Sequence, residues 1–166
     1  MSFGNPFPLP QGFVDAISSY VSFQNTDTTS NLNTSAFSPL PVFGQHKNNE
    51  SSNNQDFTVL DDERLQCNFS GVVTVEFDLY VIGTGQRDAL QARVEIGGSV
   101  VGSIASTGYI RNQNGHNHSS LHKSGETFQC SQGDIIRIVG RRESTVTGTI
   151  RFDGVGAATL TIGRKS

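Results

Sequence analysis

The chain has 166 residues, a formal net charge of −3 at pH 7 and a pI near 5.7, and its length suits one domain with a buried core plus an appendage. This balance offers no basic patch for a phosphate backbone, so nucleic acid is not an expected partner. No apolar run approaches the roughly 20 residues that cross a bilayer, so no membrane partner is expected either. The segment Met1–Pro10 lacks the basic and apolar regions of a secretory signal, and we expect no export by that route.

Residues 1–33 differ from the rest of the chain and predict an N-terminal arm. The first third of the sequence holds all five prolines, and its aromatic residues are interspersed with small polar ones. Such a segment cannot form its own core, and burying an aromatic side chain against a partner contributes about 1.5 to 3 kcal/mol. Its one helix-compatible stretch is Phe13–Val21, where apolar residues recur at three- and four-residue spacing. We predict that the arm binds a partner through Phe3, Phe7, Phe13, Ile17, Tyr20 and Phe23.

Residues 34–166 predict a globular β-domain. After a polar loop from Gln45 to Gln55, apolar and polar residues alternate, which is typical of strands with one face on a core and one in water. The alternation runs from Val73 to Val81, from Leu90 to Ile96, from Val146 to Phe152 and from Val155 to Ile162. Glycine pairs and turn dipeptides separate these runs, and short strands at such spacing indicate a sandwich or barrel.

One predicted strand has a different pattern. From Asp134 to Val139, isoleucine and valine occupy both faces of an extended chain, whereas a half-buried strand alternates. A second covering partner explains this pattern, and another subunit is one such partner. We therefore predict that Ile136 and Ile138, together with Tyr80, lie in an interface between subunits.

The strand pattern resembles the globular jelly roll shared by the tumour necrosis factor (TNF) superfamily and the heads of complement-type and collagen-linked proteins. The residues that carry the likeness are Ser35–Ser38 as an opening strand, Leu65–Gly71 leading into a long strand to Val81, and Gly133-Asp134 followed by Ile135–Val139. It spans residues 34 to 162, and departs from the family where Val72-Val73 replaces an aromatic pair after Gly71. The resemblance implies an all-β jelly-roll sandwich with three subunits around an axis, and hence a homotrimer.

A jelly roll with an aromatic arm also resembles the decoration, or cement, proteins of tailed-phage capsids, which are typically trimers between capsid subunits. This resemblance implies a virion structural protein, not an enzyme, that is made in the host cytoplasm and binds the major capsid protein on the outer capsid surface. Three arms on one trimer would multiply weak contacts through effective concentration. The basic pairs Arg141-Arg142 and Arg164-Lys165 are expected to be strand-end charges, although an acidic capsid patch would suit them.

Two other functions remain open. A receptor- or glycan-binding head of a phage fibre or a complement-like ligand would bind its target through exposed loops such as Arg111 to His122. A metal-dependent enzyme would use His116, His118 and His122, which lie on one side of an extended segment. His116 and His118 from three subunits would supply six imidazoles to one metal ion. A solvated, Asn-rich loop is the simpler interpretation, and no cofactor is expected.

Motifs for catalysis are missing from the sequence, which contains no GxSxG elbow, no phosphate-binding GxxxxGK[ST] and no HExxH. The acidic run Asp61–Glu63 and the pair Glu76 and Asp78 offer carboxylates for calcium, although solvated charge is the commoner state. Cys67 and Cys130 are too few for a disulfide framework and fall in no metal-binding spacing. They are expected to be buried free thiols rather than a bridge.

Overall fold

The computed structural model of the chain describes residues 17–47, 55–111, 115–143 and 148–165. These residues form strands, turns and loops, and no helix among them is long and apolar enough to cross a membrane. The strands are β1 (Ile17–Gln24), β2 (Ser38–Pro39), β3 (Gln45–His46), β4 (Phe57–Asp61), β5 (Arg64–Cys67), β6 (Gly71–Gly83), β7 (Leu90–Ile96), β8 (Ser99–Val100), β9 (Ala105–Ser106), β10 (His118–Cys130), β11 (Ile135–Arg142), β12 (Ile150–Phe152) and β13 (Ala158–Lys165).

The strands form two antiparallel sheets that enclose one core. The six-stranded sheet has the order β10-β6-β13-β1-β3, with β12 beside β6. The seven-stranded sheet has the order β4-β5-β11-β7-β8, with β2 beside β11 and β9 beside β7. Neighbouring strands are often distant in sequence, as where Val21 of β1 lies opposite Ile162 of β13. This architecture is the all-β sandwich that the alternating pattern predicts.

The core lies between the two sheets, and alternate residues of each long strand point into it. In β6 every second residue from Val73 to Val81 is at most 1 % exposed, so the predicted alternation of this strand is confirmed. Burial of side chains of this size contributes about 1.5 to 3 kcal/mol each. The largest fully buried side chains are Phe23, Phe43, Phe77, Leu40, Leu65, Leu79, Leu90, Ile110, Ile136, Ile138, Ile150 and Leu160.

Strand β1 corrects the prediction for the segment before residue 34. Residues 17–21 are strand, not helix, and β1 lies inside the six-stranded sheet between β13 and β3. Leu32 is also buried in the core, and the backbone N–H of Leu32 donates to the carbonyl of Ile150 at 2.7 Å. Residues 17–33 therefore belong to the sandwich, and the predicted boundary at residue 33 is wrong. The rest of the predicted arm, residues 1–16, lies outside the described residues.

Strand β11 is covered on both faces, as its sequence indicates, but by this chain itself. Ile136 and Ile138 are fully buried in the core, so their predicted place in a subunit interface is wrong. On the opposite face Val139 is 2 % exposed and lies opposite Arg93 of β7. The ring of Phe37 packs on this outer face, 3.7 Å from the guanidinium carbon of Arg93. The segment before β2 therefore covers the outer face of β11. The sequence pattern predicts a second subunit in this place.

Some strand ends differ from the sequence-based bounds. β7 has the predicted ends, Leu90 and Ile96. β13 begins at Ala158, three residues later than predicted, because the preceding residues form a turn in which Gly156 has a φ of +80°. Only Ile150–Phe152 of the predicted strand from Val146 is strand in the described chain. The predicted opening strand Ser35–Ser38 is replaced by β2, which begins at Ser38.

The sequence predicts a solvated loop for the first part of β10, but the structure has a strand of 13 residues there. Only Leu121 and Cys130 among its side chains are buried. In the order of the six-stranded sheet β10 stands at one end and pairs with β6. An edge strand of this kind carries mostly polar side chains, which is why it lacks the alternation that identifies a half-buried strand.

Candidate functional site

The outer face of the six-stranded sheet carries a group of exposed polar and aromatic side chains. Strands β6 and β10 pair so that Tyr80 lies opposite Ser120 and Asp78 lies opposite His122. Cross-strand neighbours project to the same side of a sheet, so the residues of β6 that alternate with the core residues share one face with the histidines of β10. We define the tyrosine–histidine face by Asp78, Tyr80, His118, His122 and Asp153.

His118 connects two members of this face. Its Nε2 lies 3.2 Å from Oδ1 of Asp153, and its ring stacks on that of Tyr80 with centroids 5.6 Å apart and planes 9° apart. Asp153 follows β12, and its backbone N–H donates to the carbonyl of Tyr80 at 3.3 Å. Tyr80 remains 42 % exposed. The ring is therefore oriented by its neighbours and still available to a partner.

His122 forms a second contact with a carboxylate. Its Nδ1 lies 2.6 Å from Oδ1 of Asp78, across the strand pair. Both side chains are more than half exposed, so this contact contributes little to stability. Together with the His118–Asp153 pair it places hydrogen-bonding groups around Tyr80. An aromatic ring bordered by polar groups is the composition that protein–protein interfaces favour.

The predicted interface residues have different positions. Tyr80 lies on the tyrosine–histidine face, whereas Ile136 and Ile138 lie in the core on the other sheet. Tyr20 of β1 is half-buried on the outer side of the six-stranded sheet, opposite Gly163 of β13. It is therefore an additional aromatic on this sheet, and not part of a detached arm.

The predicted arm anchors are only partly described. Phe3, Phe7 and Phe13 lie outside the described residues. Ile17 lies in β1, within the sheet. Phe23 is fully buried against the core, with its ring centroid 5.3 Å from that of Phe43. Phe23 cannot reach a partner from this position, so its prediction as an anchor is wrong.

The three histidines of the predicted metal site do not form a group. His118 and His122 share the outer face of β10, but His116 precedes the strand, where its carbonyl accepts a hydrogen bond of 2.8 Å from the N–H of Arg111. Within residues 17–47, 55–111, 115–143 and 148–165, no three His, Cys, Asp or Glu side chains are placed to hold a metal ion. A site that combines His116 and His118 from three chains stays a prediction.

A second polar cluster, which sequence analysis missed, connects the edge strand β10 to the loop after β8. Ser103 Oγ donates to Oε1 of Glu126 at 2.5 Å, and Lys123 Nζ lies 2.7 Å from the same oxygen. Lys123 also donates to Ser103. Burial alone would raise the pKa of Glu126, but the hydrogen bonds from Lys123 and Ser103 outweigh it and lower that pKa. The cluster joins the two sheets at one edge of the sandwich.

The segment from β8 to the start of β10 exposes several apolar side chains. Tyr109 is 65 % exposed, and Val100, Val101 and Ile104 are between 38 % and 48 % exposed. We define these four residues as the apolar loop patch. It adjoins β7, because Val101 N–H donates to the carbonyl of Val94 at 3.2 Å. This segment therefore begins beside β7 of the seven-stranded sheet, and its exposed side chains offer a second surface for recognition.

Some of the carboxylates that the sequence offers for calcium have partners within the chain. Oδ2 of Asp61 accepts a hydrogen bond of 2.7 Å from Nε of Arg64, and this bond lowers the pKa of Asp61. Glu63 has a pKa raised by burial and by its acidic neighbours Asp62 and Asp61. Asp61 therefore has a cationic partner within the chain, whereas Glu63 has like-charged neighbours that disfavour its ionised form.

Comparison with known proteins identifies the fold. No family model matches the sequence, and no curated protein matches it. The crystal structure of murine APRIL at pH 5.0 matches with a TM-score of 0.57 and 11 % identity over 88 % of this chain and 98 % of that chain. The murine APRIL crystal structure at pH 8.0 matches with a TM-score of 0.55 and 12 % identity over the same shares. Eiger TNF from S. frugiperda matches with a TM-score of 0.54 and 10 % identity over 89 % of this chain and 92 % of that chain.

These matches confirm the predicted fold class, an all-β jelly-roll sandwich similar to TNF. The chain also spans nearly the whole length of each matched structure, so the likeness covers both sheets and not a single hairpin. At 10 to 12 % identity the likeness carries the fold alone. Function has to be argued from the surfaces.

Proposed function

We propose that the chain is a binding and assembly module without a catalytic step, which forms a homotrimer and decorates the outer surface of a viral capsid. The trimer is supported by the TNF-like fold, because the family resemblance implies three sandwiches around an axis. It is also supported by Tyr80, an aromatic side chain that is 42 % exposed on the outer face of β6, beside the exposed Glu76 and Asp78. Tyr80 is the observation that carries the proposed trimer.

Physical chemistry favours Tyr80 as the centre of such a contact. Tyrosine combines a large apolar ring with a hydroxyl, and it is enriched in the desolvated centres of interfaces. Here the stacked imidazole of His118, which itself contacts Asp153, restricts the orientation of the Tyr80 ring. Less side-chain entropy is lost on association when an aromatic is already oriented. The tyrosine–histidine face is therefore suited to bind another copy of the chain.

Light scattering on the purified protein tests the trimer. We expect a mass near three times 17.9 kDa for the native chain, and a monomer for Tyr80→Glu. The matched control is Tyr109→Glu, which introduces the same charge at a tyrosine that is 65 % exposed in the loop between β9 and β10 and should leave the trimer intact. A monomeric native chain, or a Tyr80→Glu protein that stays trimeric, would contradict the proposed interface.

The capsid role is supported by the sequence that precedes β1. Phe3, Phe7 and Phe13 lie within the first 16 residues, upstream of the strand where the sandwich begins. Three such segments on one trimer would bind a shell by avidity. We propose that these phenylalanines contact the major capsid protein, and that the protein is made in the host cytoplasm and incorporated on the virion surface.

A sedimentation assay with capsids that lack the protein tests this role. The deletion must stop at residue 16, because removing β1 would take a core strand from the sandwich. We expect the full chain to co-sediment with capsids, and the chain without residues 2–16 to remain a folded trimer in the supernatant. Replacing Phe3, Phe7 and Phe13 with Ser is the length-matched variant and should also abolish binding. Capsid binding by either variant would show that the phenylalanines before β1 are not the capsid contact. If the full chain does not bind capsids, the capsid role is excluded.

A receptor- or glycan-binding head is the second candidate, and the apolar loop patch favours it. Exposed aromatics such as Tyr109, at 65 % exposure, are common anchors in recognition surfaces. In this case Tyr109→Ser should reduce binding to the host cell surface, while deletion of residues 2–16 should have no effect. The capsid role instead predicts that deletion of residues 2–16 abolishes capsid binding and that Tyr109→Ser leaves capsid binding unchanged. The same two variants therefore separate the two candidates.

A further inference from the structure

Two buried cysteines meet where the two sheets approach each other. Cys67 is the last residue of β5 in the seven-stranded sheet, and Cys130 is the last residue of β10 in the six-stranded sheet. Both are free thiols, with 0 % and 6 % of their surfaces exposed. Their Sγ atoms are 3.0 Å apart, although the residues are 63 positions apart in sequence. The fold has therefore brought together a pair of nucleophilic atoms that the proposed function does not use.

Hydrogen bonds of the backbone around the two cysteines hold their two segments together without any contact between the sulfur atoms. The N–H of Gly133 donates to the carbonyl of Cys67 at 2.8 Å, and the N–H of Cys67 donates to the carbonyl of Asp134 at 2.9 Å. One turn further, the N–H of Gln132 donates to Oγ of Ser70 at 3.0 Å. These three hydrogen bonds hold the end of β5 against the turn after β10. A covalent bond between the sulfurs would need them to approach by about 1 Å, to the roughly 2.05 Å of a disulfide.

We propose that Cys67 and Cys130 form a redox-controlled disulfide that joins the two sheets of the sandwich, with a peroxide as the oxidant. The thiolate of one cysteine attacks an oxygen of hydrogen peroxide, which forms a sulfenic acid and releases hydroxide. The sulfur of the other cysteine then attacks the sulfenic sulfur, and the hydroxyl leaves with a proton as water. The sum is two thiols and one hydrogen peroxide giving one disulfide and two waters. A dithiol reductant reverses the reaction by thiol–disulfide exchange.

The environment of the pair controls the rate of this reaction. Burial, followed by the hydrogen bond with Cys67, raises the pKa of Cys130 to about 12. The thiolate is the reactive form of cysteine, so Cys130 is held as an unreactive thiol near neutral pH. Oxidation of the folded protein should therefore be slow at pH 7 and faster at alkaline pH. This distinguishes a protected structural pair from the low-pKa cysteines of redox enzymes.

The disulfide would change the stability of the sandwich. It would close a loop of 63 residues that contains β6, β7 and most of β10, and closing a long loop in the unfolded chain raises the stability of the folded state. The end of β10, the edge strand of the six-stranded sheet, would then be covalently connected to the end of β5 in the opposite sheet. We expect the oxidised form to have a Tm higher by on the order of 10 °C.

Intact mass spectrometry of the full chain tests the proposal. Fully reduced protein is treated with hydrogen peroxide at pH 7 and at pH 9, the peroxide is removed, and the protein is denatured in guanidinium chloride near pH 8 with an excess of a thiol-alkylating reagent. We expect a mass lower by two hydrogens, no alkylation, faster formation at pH 9, and a higher Tm that a dithiol reductant returns to its starting value. Cys67→Ala and Cys130→Ala should each leave one alkylated thiol and show no reductant-dependent change in Tm.

Other outcomes would overturn the disulfide. Two alkylated thiols after oxidation would show that the pair does not react, and oxygen atoms added at Cys67 or Cys130, rather than at Met1, would show overoxidation without a bridge. A dimer on a non-reducing gel would show that the cysteines react between chains. If the alanine variants do not fold, proteolysis of the oxidised native chain decides the question: the peptides that contain Cys67 and Cys130 must be recovered as one species that a reductant separates.

Discussion

Phe23 and Phe43 pack edge to face in the core, with ring centroids 5.3 Å apart and ring planes at 81°. The ring of Phe23 also lies 4.6 Å from that of His46, the residue opposite it across the β1–β3 pair. Such aromatic contacts add about 0.5 to 1.5 kcal/mol to the burial of the rings themselves. Phe23 therefore fixes β1 to the sandwich, in a segment whose composition resembles an arm.

Replacing this ring tests whether β1 is structural. We expect Phe23→Ala to lower the free energy of unfolding by about 3 to 5 kcal/mol, because it leaves a cavity among fully buried residues. Urea denaturation followed by circular dichroism measures the change. Tyr109→Ala, at a side chain that is 65 % exposed, is the control and should change stability by less than about 0.5 kcal/mol. A stable Phe23→Ala protein would mean that β1 does not belong to the core in solution.

The strands that could be predicted are those with one buried and one wet face. β6 and β7 alternate along their whole length, and period-two patterning identifies them. β1 does not, because Ser19 and Ser22 are buried as polar residues: Ser19 donates to the carboxylate of Asp56, and Ser22 Oγ lies 2.9 Å from Oγ1 of Thr161. These partners are far away in sequence, so β1 looks like a polar segment with aromatic insertions.

The candidate site was also predictable only in part, because most of its contacts join residues that are far apart in sequence. The outward phase of β6 identified Tyr80, since strand alternation alone fixes which side it faces. The contact between Asp78 and His122 joins residues 44 positions apart, and that between Ser103 and Glu126 joins residues 23 positions apart. Such pairs depend on strand register, and the register of an edge strand such as β10 leaves little trace in a polar sequence. The thiol pair was likewise recognisable as two cysteines but not as neighbours.

Glycine at position 148 is required by a close approach of two segments. A Cβ there would collide with the backbone of Gly85 and with the carboxylate of Asp88, and backbone cannot yield as a flexible side chain does. We expect Gly148→Ala to lower the free energy of unfolding by about 1 to 3 kcal/mol. Gly154→Ala is the matched control, since nothing lies within 4 Å of its Cβ position. Equal midpoints in urea for the two variants would show that the two segments are further apart than described.

Asp27 should make stability depend on pH in the acid range. Hydrogen bonds from the Ser30 hydroxyl and from the N–H groups of Ser30 and Thr29 lower its pKa from 3.8 to about 2. Because the pKa is lower in the folded state, the stabilisation is complete above about pH 4 and is lost as pH falls towards 2. We expect a loss on the order of 1 kcal/mol over this window, after allowance for solvent screening.

Chemical denaturation of the native chain, Asp27→Asn and Asp27→Ala at pH 5 and pH 2.5 measures this contribution. Asp27→Asn keeps an oxygen acceptor for the turn but removes the titrating group, so its stability should change less between the two pH values than that of the native chain. Asp27→Ala should be less stable at pH 5 and show the same reduced pH dependence. An unchanged pH dependence in both variants would show that Asp27 is not held by Ser30 and Thr29 in solution.

Metal analysis of the purified protein tests the remaining role of the histidines. We expect less than one metal ion per three chains, because the Nε2 of His118 faces Asp153 at 3.2 Å and the ring is stacked on Tyr80, while His116 lies outside the strand. Treatment with a chelator should therefore leave both the Tm and the mass in light scattering unchanged. One bound ion per trimer that disappears in His118→Ala, but persists in the matched His122→Ala variant, would instead establish a metal site shared by three subunits.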